Sequence, residues 1–208
     1  MPKKRSPAAV KKSSPVADRV RWQAGTMVYP APAALVSCGN RDTGFNLITV
    51  AWTGNVCSAP AQCYISVRPE RYSYRLIKET GEFAINLTTA ALVRAVDWCG
   101  VKSGRDFDKF KECNLTAQPA FSIGAPVVAE SPLAIECRVK QIIPLGAHDM
   151  FLAEVVALNA AGKLLDREQS FDLASAQPLV YLHGKYYALG RPVGYFGFSV
   201  AKKKRVKS

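Results

Sequence analysis

The run CYISVRPERYS, residues 63–73, carries an apolar, strand-like segment into a Pro-punctuated turn that holds Arg68 and Arg71 and then Tyr72 and Ser73. Two guanidiniums and a hydroxyl just ahead of a helix start set fixed positive charge beside backbone N–H groups that lack an intrahelical acceptor. That combination suits a phosphate. The competing reading is a solvated turn, because Arg and Ser are ordinary turn residues. On this stretch alone both stand.

Other chemistries leave no trace. There is no GxGxxG between a strand and a helix, and no Walker A run. No GxSxG, HExxH or paired-carboxylate constellation supports hydrolysis. Six cysteines (Cys38, Cys57, Cys63, Cys99, Cys113, Cys137) form no CxxC pair and are accompanied by only two histidines, His148 and His183, so no metal site is expected. In a chain of this length scattered cysteines act as small core hydrophobes.

The elements that must position residues 63–73 are mostly strands. Ala33–Cys38 reads as a strand closed by Gly39 and Asn40, and NLITVAWTGN, 46–55, reads as one strand from its Val, Ile, Thr and Trp content. Pro60 breaks the chain before the anion-binding run. Tyr74–Thr80 reads as a short helix ended by Gly81, FAINLT (83–88) as a strand, and Ala90–Cys99 as a helix stopping at Gly100. Ser103 is the expected cap of a further helix with Asp106 in its first turn; Phe107 and Phe110 form its apolar face and Lys109 points elsewhere. Leu133, Ile135, Cys137 and Val139 alternate with polar or small residues, and Met150–Leu158 is a further strand. Leu179–His183 and Lys185–Leu189 flank Gly184, and GRPVGYFGF (190–198) closes the folded part. About seven strands with short helices indicate a mainly β fold, a β-barrel with helical decoration.

The 208 residues carry a net charge of +12, which raises nucleic-acid binding as a reading. Its distribution argues against that. Residues 1–19 hold six cations against Asp18, and residues 200–208 hold five cations, so +5 at each end leaves +2 for residues 20–199. The expected organisation is a basic tail over 1–19, one domain over 20–199 and a second basic tail over 200–208, with attraction to polyanions confined to the tails and no specific nucleic-acid partner. No apolar leader and no run of about 18 apolar residues is present, so neither secretion nor a membrane partner is expected, and the cytoplasm is the expected location.

Taken in order, NLITVAWTG (46–54), ISVRPERYSYRLI (65–77), GEFAINL (81–87), SGRDFDKF (103–110), IECRV and LGAHDMFLAEV resemble the flavin reductase-like family, its flavoredoxin-type members in particular. The resemblance runs from about residue 27 to residue 190. It implies an FMN-binding split β-barrel of Greek-key type with six strands, a homodimer, and one FMN per subunit near the dimer interface. By the same resemblance Asn46, Thr49, Ala51, Trp52 and Thr53 line the flavin ring, and Ser66, Val67 and Arg68 flank it. Arg71, Tyr72 and Ser73 take the phosphate and ribityl chain, Asn86 lies near the flavin, and Ser103, Gly104 and Lys109 help close the site. A dianionic phosphate in a partly dry site is best met by two cations, which favours Arg71 together with Lys109. His148, with Asp149 beside it in a turn, is the expected assistant to hydride or proton transfer at the ring, the other reading being a surface turn pair.

The activity so implied is an NAD(P)H-dependent flavin or ferric-type reductase, with NADH or NADPH as co-substrate and a small-molecule or protein electron acceptor. The alternative is a flavoredoxin-type electron carrier reduced by a partner protein. A missing GxGxxG does not separate the two, since the family takes nicotinamide without a Rossmann domain.

Overall fold

The computed structural model describes residues 19–201; of the expected basic tails over 1–19 and 200–208, residues 1–18 and 202–208 lie outside the described residues. The first strands are β1 (Ala31–Pro32), β2 (Ala34–Cys38), β3 (Asn46–Val50), β4 (Thr53–Ser58) and β5 (Ala61–Val67). Helix α1 (Tyr72–Thr80), strand β6 (Glu82–Asn86) and helices α2 (Val93–Val101) and α3 (Lys109–Glu112) follow. The second half holds β7 (Ala117–Gln118), β8 (Val127–Val128), the long pair β9 (Leu133–Pro144) and β10 (Asp149–Ala160), and the hairpin β11 (Leu179–Leu182) and β12 (Lys185–Ala188).

Seven strands form one sheet in the order β3-β2-β6-β9-β10-β5-β4, every neighbouring pair antiparallel. The strands at the two ends of that order, β3 and β4, are consecutive in the chain and separated only by Ala51 and Trp52. The sheet must therefore curl until its ends meet at this two-residue link, and the Ser66 N–H donates to the Trp52 carbonyl at 2.9 Å, carrying the β4–β5 pairing into the bend. The single strand expected over 46–55 is thus two, which is why the barrel sheet has seven strands and not six. The composition of this run favours extended backbone throughout, and no Gly or Pro at 51–52 marks the bend.

Alternation decides what faces where. Ala34, Val36 and Cys38 of β2 and Ile48 and Val50 of β3 join Ile65, Val67, Phe83, Ile85 and Phe151 inside the barrel. The intervening Ala33, Leu35 and Leu47 pack outward against Val96 and Cys99 of α2 and Phe110 of α3. Strand β2 is therefore buried on both faces, and reads as a continuous apolar run.

Helix α1 begins two residues earlier than expected, at Tyr72, buries Leu76 and Ile77, and ends at Gly81 in the left-handed region (φ 68°), where a residue without Cβ is unstrained. Helix α2 runs through Gly100 to Val101. Gly100 is not a stop signal but a close-approach residue: a Cβ there would sit 3.3 Å from Thr49 Cβ of β3. Helix α3 is shorter than expected and is capped by Asp108, whose carboxylate accepts from the Lys111 N–H at 3.2 Å. Ser103 instead makes a local turn, its hydroxyl accepting from the Arg105 N–H. The hairpin β11–β12 turns on His183 and Gly184, both at positive φ as a two-residue hairpin loop requires, and pairs with β1 in a separate three-stranded sheet. Four cysteines (Cys38, Cys63, Cys99, Cys137) are buried, as expected of core hydrophobes, while Cys57 is exposed. Among the described residues no helix is long and apolar enough to cross a membrane, and no cluster of metal-ligating side chains occurs.

Candidate functional site

Helix α1 starts where β5 leaves the barrel, and Arg71 holds its N-cap position in extended backbone (ψ 138°) with no side-chain cap. The first N–H groups of a nine-residue helix are thereby left facing a cavity of about 310 Å³. Arg71, Tyr72, Ser73 and Asn46 line it from one side and Ser103, Gly104 and Lys109 from the other. Asn46 and Ser73 are buried and mutually fixed, Asn46 Nδ2 donating to Ser73 Oγ at 2.7 Å. A Cβ on Gly104 would collide with the Asn46 amide and lie 2.9 Å from Tyr72 Cδ1, so only glycine lets this loop close over the strand.

Lys109 is the unusual member. The sequence reading turned it away from the packed face of its helix, yet it is 4 % exposed. Its Nζ donates to the Cys99 carbonyl at 2.7 Å, and no carboxylate pairs with it among the described residues. Burial pushes its pKa below the ordinary 10.5, and the Arg71 charge pushes the same way. A buried ammonium beside a guanidinium, with backbone and side-chain donors aimed into one small cavity, is a donor set that fits a phosphate.

A second cavity of about 770 Å³ continues from the first, sharing Ile48, Arg71 and Gly100 with it. Its lining includes Thr49, Ala51, Trp52, Ser66, Val67, Arg68 and His148 from the expected set. Thr49 contributes through its place on β3, since its hydroxyl is committed to the Val96 carbonyl at 2.5 Å. His148 sits half-buried in the turn between β9 and β10.

Three assignments are corrected. The Asn86 side chain lines neither cavity: it is fully buried behind β2, its Nδ2 donating to the Leu35 carbonyl and Ser37 Oγ while its Oδ1 accepts from the Val128 N–H. Its work is to join β6, β2 and β8. The Thr53 hydroxyl donates to the Tyr64 carbonyl at 2.7 Å, and Thr53 lines a third cavity with Met27, Val28 and Pro30. Asp149 is turned away from His148's cavity and accepts the Tyr74 O–H at 2.6 Å, a bond that raises the tyrosine pKa.

The sequence reading missed Lys102, Arg105 and Glu70 at the small cavity, and Tyr29, Asp97, Tyr181 and Tyr186 at the large one. Arg105 lay within the SGRDFDKF run and could have been found there. The tyrosines come from segments distant in sequence, and no local signal places them.

No nucleophile with a base lines this space. Cys99 is held as a thiol, burial raising its pKa to about 12, and the Ser73 hydroxyl has an amide for a partner. The pair of cavities is equipped to hold an organic phosphate by its anionic end and to shelter a flat body along β3 and the end of β5.

Residues 26–190 match the family model described as the flavin reductase like domain. The flavoredoxin of Desulfovibrio vulgaris (Miyazaki F) superposes with a TM-score of 0.82 at 31 % identity, covering 88 % of this chain and 100 % of that one. An NADPH-flavin oxidoreductase of Streptomyces viridifaciens is 26 % identical over 187 residues, 88 % of each chain. An uncharacterised protein of Aeropyrum pernix is 29 % identical over 157 residues, of which this chain spans 59 % of the length. The match over residues 26–190, laid on the closed barrel with its cation-lined cavity at the head of α1, establishes that the chain belongs to the flavin reductase-like family of FMN-binding split-barrel folds.

Proposed function

We propose that this chain binds one FMN per subunit and acts as an NAD(P)H-dependent flavin or ferric-type reductase, passing electrons to a small-molecule or protein acceptor. The observation that carries the reading is Lys109: a buried cation without a carboxylate, paired in space with Arg71 and the head of α1, at one end of a cavity that widens along β3. FMN, when bound, supplies the chemistry, accepting a hydride from the nicotinamide and releasing electrons onward.

The protein's own tasks are then binding and orientation. Arg71, Lys109, Ser73 and the first N–H groups of α1 hold the phosphate. Asn46 fixes the Ser73 hydroxyl and, with Gly104, closes the loop over the tail. The backbone of Thr49–Trp52 and of Ser66–Arg68 flanks the ring, and His148 stands at the larger cavity as the candidate to hold or move a proton. No buried dyad is needed for this. A homodimer is part of the proposal: Met27 and Val28 (92 % exposed) line the third cavity with apolar surface that a second copy would cover.

Anaerobic mixing of FMN-loaded protein with NADH or NADPH tests the reading. Loss of the flavin absorbance band is expected; no bleaching with either would remove the reductase. The second reading, a flavoredoxin-type carrier reduced by a partner protein, draws its support from the 31 % identity to a flavoredoxin over that chain's full length. It predicts a flavin reduced by dithionite and inert to both dinucleotides.

A further inference from the structure

Charge is concentrated at the two joined cavities beyond what one phosphate uses. Five cations line them: Arg68, Arg71, Lys102, Arg105 and Lys109. Two carboxylates, Glu70 and Asp97, oppose these, leaving an excess of three positive charges. Residues 20–199 have a net charge of only +2, because +5 of the +12 lies in 1–19 and +5 in 200–208. With +3 at the cavities, the remainder of those residues is slightly negative, at −1. The net positive excess of residues 20–199 therefore lies at this mouth, the other cations of the domain being balanced by carboxylates.

A flavin phosphate, at about −2, leaves that mouth still positive. Lys109 is buried, and Arg71, though exposed, lines both cavities at the head of α1, so these two are assigned to the phosphate end. Lys102 and Arg105 are exposed in the segment between α2 and α3. Lys102 Nζ lies 5.7 Å from the Phe107 ring centroid, and Arg105 donates to the Glu70 carbonyl at 3.1 Å, which uses one of its five N–H groups. Each retains donors for a second anion.

We propose that Lys102 and Arg105 form a recognition site for the 2′-phosphate of the dinucleotide, so that the reductase proposed above takes NADPH in preference to NADH. The two dinucleotides differ by one phosphate, so a pair of surplus cations is a discriminating feature. The nicotinamide and adenine are common to both. Two exposed cations acting on one phosphate correspond to a preference of roughly 10-fold in kcat/KM at low salt, shrinking as added salt screens them.

The experiment uses the full FMN-loaded chain. Initial rates with NADPH and NADH are measured at low and high salt, and titration calorimetry compares adenosine 2′,5′-bisphosphate with 5′-AMP. The expected result is a kcat/KM ratio near 10 in favour of NADPH, carried mainly by KM, and tighter binding of the 2′,5′-bisphosphate. Both differences fall to within 2-fold in Lys102→Gln/Arg105→Gln. Arg75→Gln removes the same kind of charge from a residue paired with Glu79 and lining neither cavity, so it should leave both differences in place. Equal handling of the two dinucleotides by the unaltered protein, survival of the preference in the double variant, or its equal loss in Arg75→Gln each overturns the proposal. If neither dinucleotide bleaches the flavin, it is the underlying reductase reading that fails. The calorimetric contrast then still decides the 2′-phosphate site.

Discussion

Lys109 is where burial and charge conflict most sharply. With no anion present, burial holds its folded-state pKa below 10.5. Between that value and 10.5 the unfolded chain binds more protons than the folded one, so this group makes apo stability rise with pH. A bound phosphate reverses the sign: it favours the charged lysine, and flavin affinity falls as pH climbs through the lysine's pKa. Lys109→Met is therefore expected to flatten the alkaline rise in apo-protein Tm and to weaken FMN binding by about 100-fold, the loss of a charge-assisted hydrogen bond in a dry site. Thermal melts across pH and FMN titration check the two halves separately. Arg71 and Arg75 offer a sharper contrast, being neighbours on α1 with different surroundings. Arg71→Ala should raise the FMN Kd by about 10- to 100-fold, and Arg75→Ala by less than about 2-fold, because Arg71 lines both cavities while Arg75 lines neither and is paired with Glu79 at 3.0 Å. Equal loss in both would remove Arg71 from the site. The grouping of Arg71 and Ser73 at one cavity was legible because a strand end and a helix start, both set by adjacent residues, bring them together. Gly104 came only with the family resemblance, since the Asn46 and Tyr72 side chains that crowd it are distant in sequence. The burial of Lys109 was not legible, since it depends on the Cys99 carbonyl at the far end of α2.

At the level of elements, the order of strands and helices could be read from alternation and turn residues, and the errors share a cause. Asn86 ends a strand beside a flavin-site motif and so resembles a ligand. Its three partners come from β2 and from β8, and only the folded sheet brings them together. Asn86→Ala would strand the Val128 N–H and leave the Ser37 hydroxyl and Leu35 carbonyl poorly satisfied, costing about 2–4 kcal/mol. Denaturant unfolding should show that loss, while the FMN Kd of the folded variant stays within about 2-fold. A large change in Kd would return Asn86 to the site. The division of residues 46–58 into β3 and β4 escaped notice for a related reason. The bend at Ala51–Trp52 is imposed by barrel closure, a property of the whole sheet, and extended backbone on either side of it looks the same in sequence. The early stop expected at Gly100 failed because a glycine serving close packing and one serving termination have the same letter.

At the scale of the whole molecule, exposed apolar side chains gather beside one cavity. Met27 and Val28 are exposed together at a cavity of about 430 Å³ whose lining continues through Ala51, Trp52 and Ser66. Those last three residues also line the larger cavity of the candidate flavin site, so one thin wall separates the apolar surface from the flavin's expected place. If a second copy covers that surface, assembly and cofactor retention are coupled: the partner holds the Ala51–Trp52 bend in place, and the bend shapes the slot. Light scattering on the purified protein should then give about twice the 22.6 kDa chain mass. Met27→Glu with Val28→Glu sets two carboxylates into the patch. Two like charges desolvated against their symmetry mates are strongly unfavourable, so this variant should run as a monomer and release FMN at least about 10-fold more readily than the parent. A parent protein of single-chain mass that keeps its flavin would refute the dimer, and a monomeric variant with unchanged FMN affinity would uncouple the interface from the site.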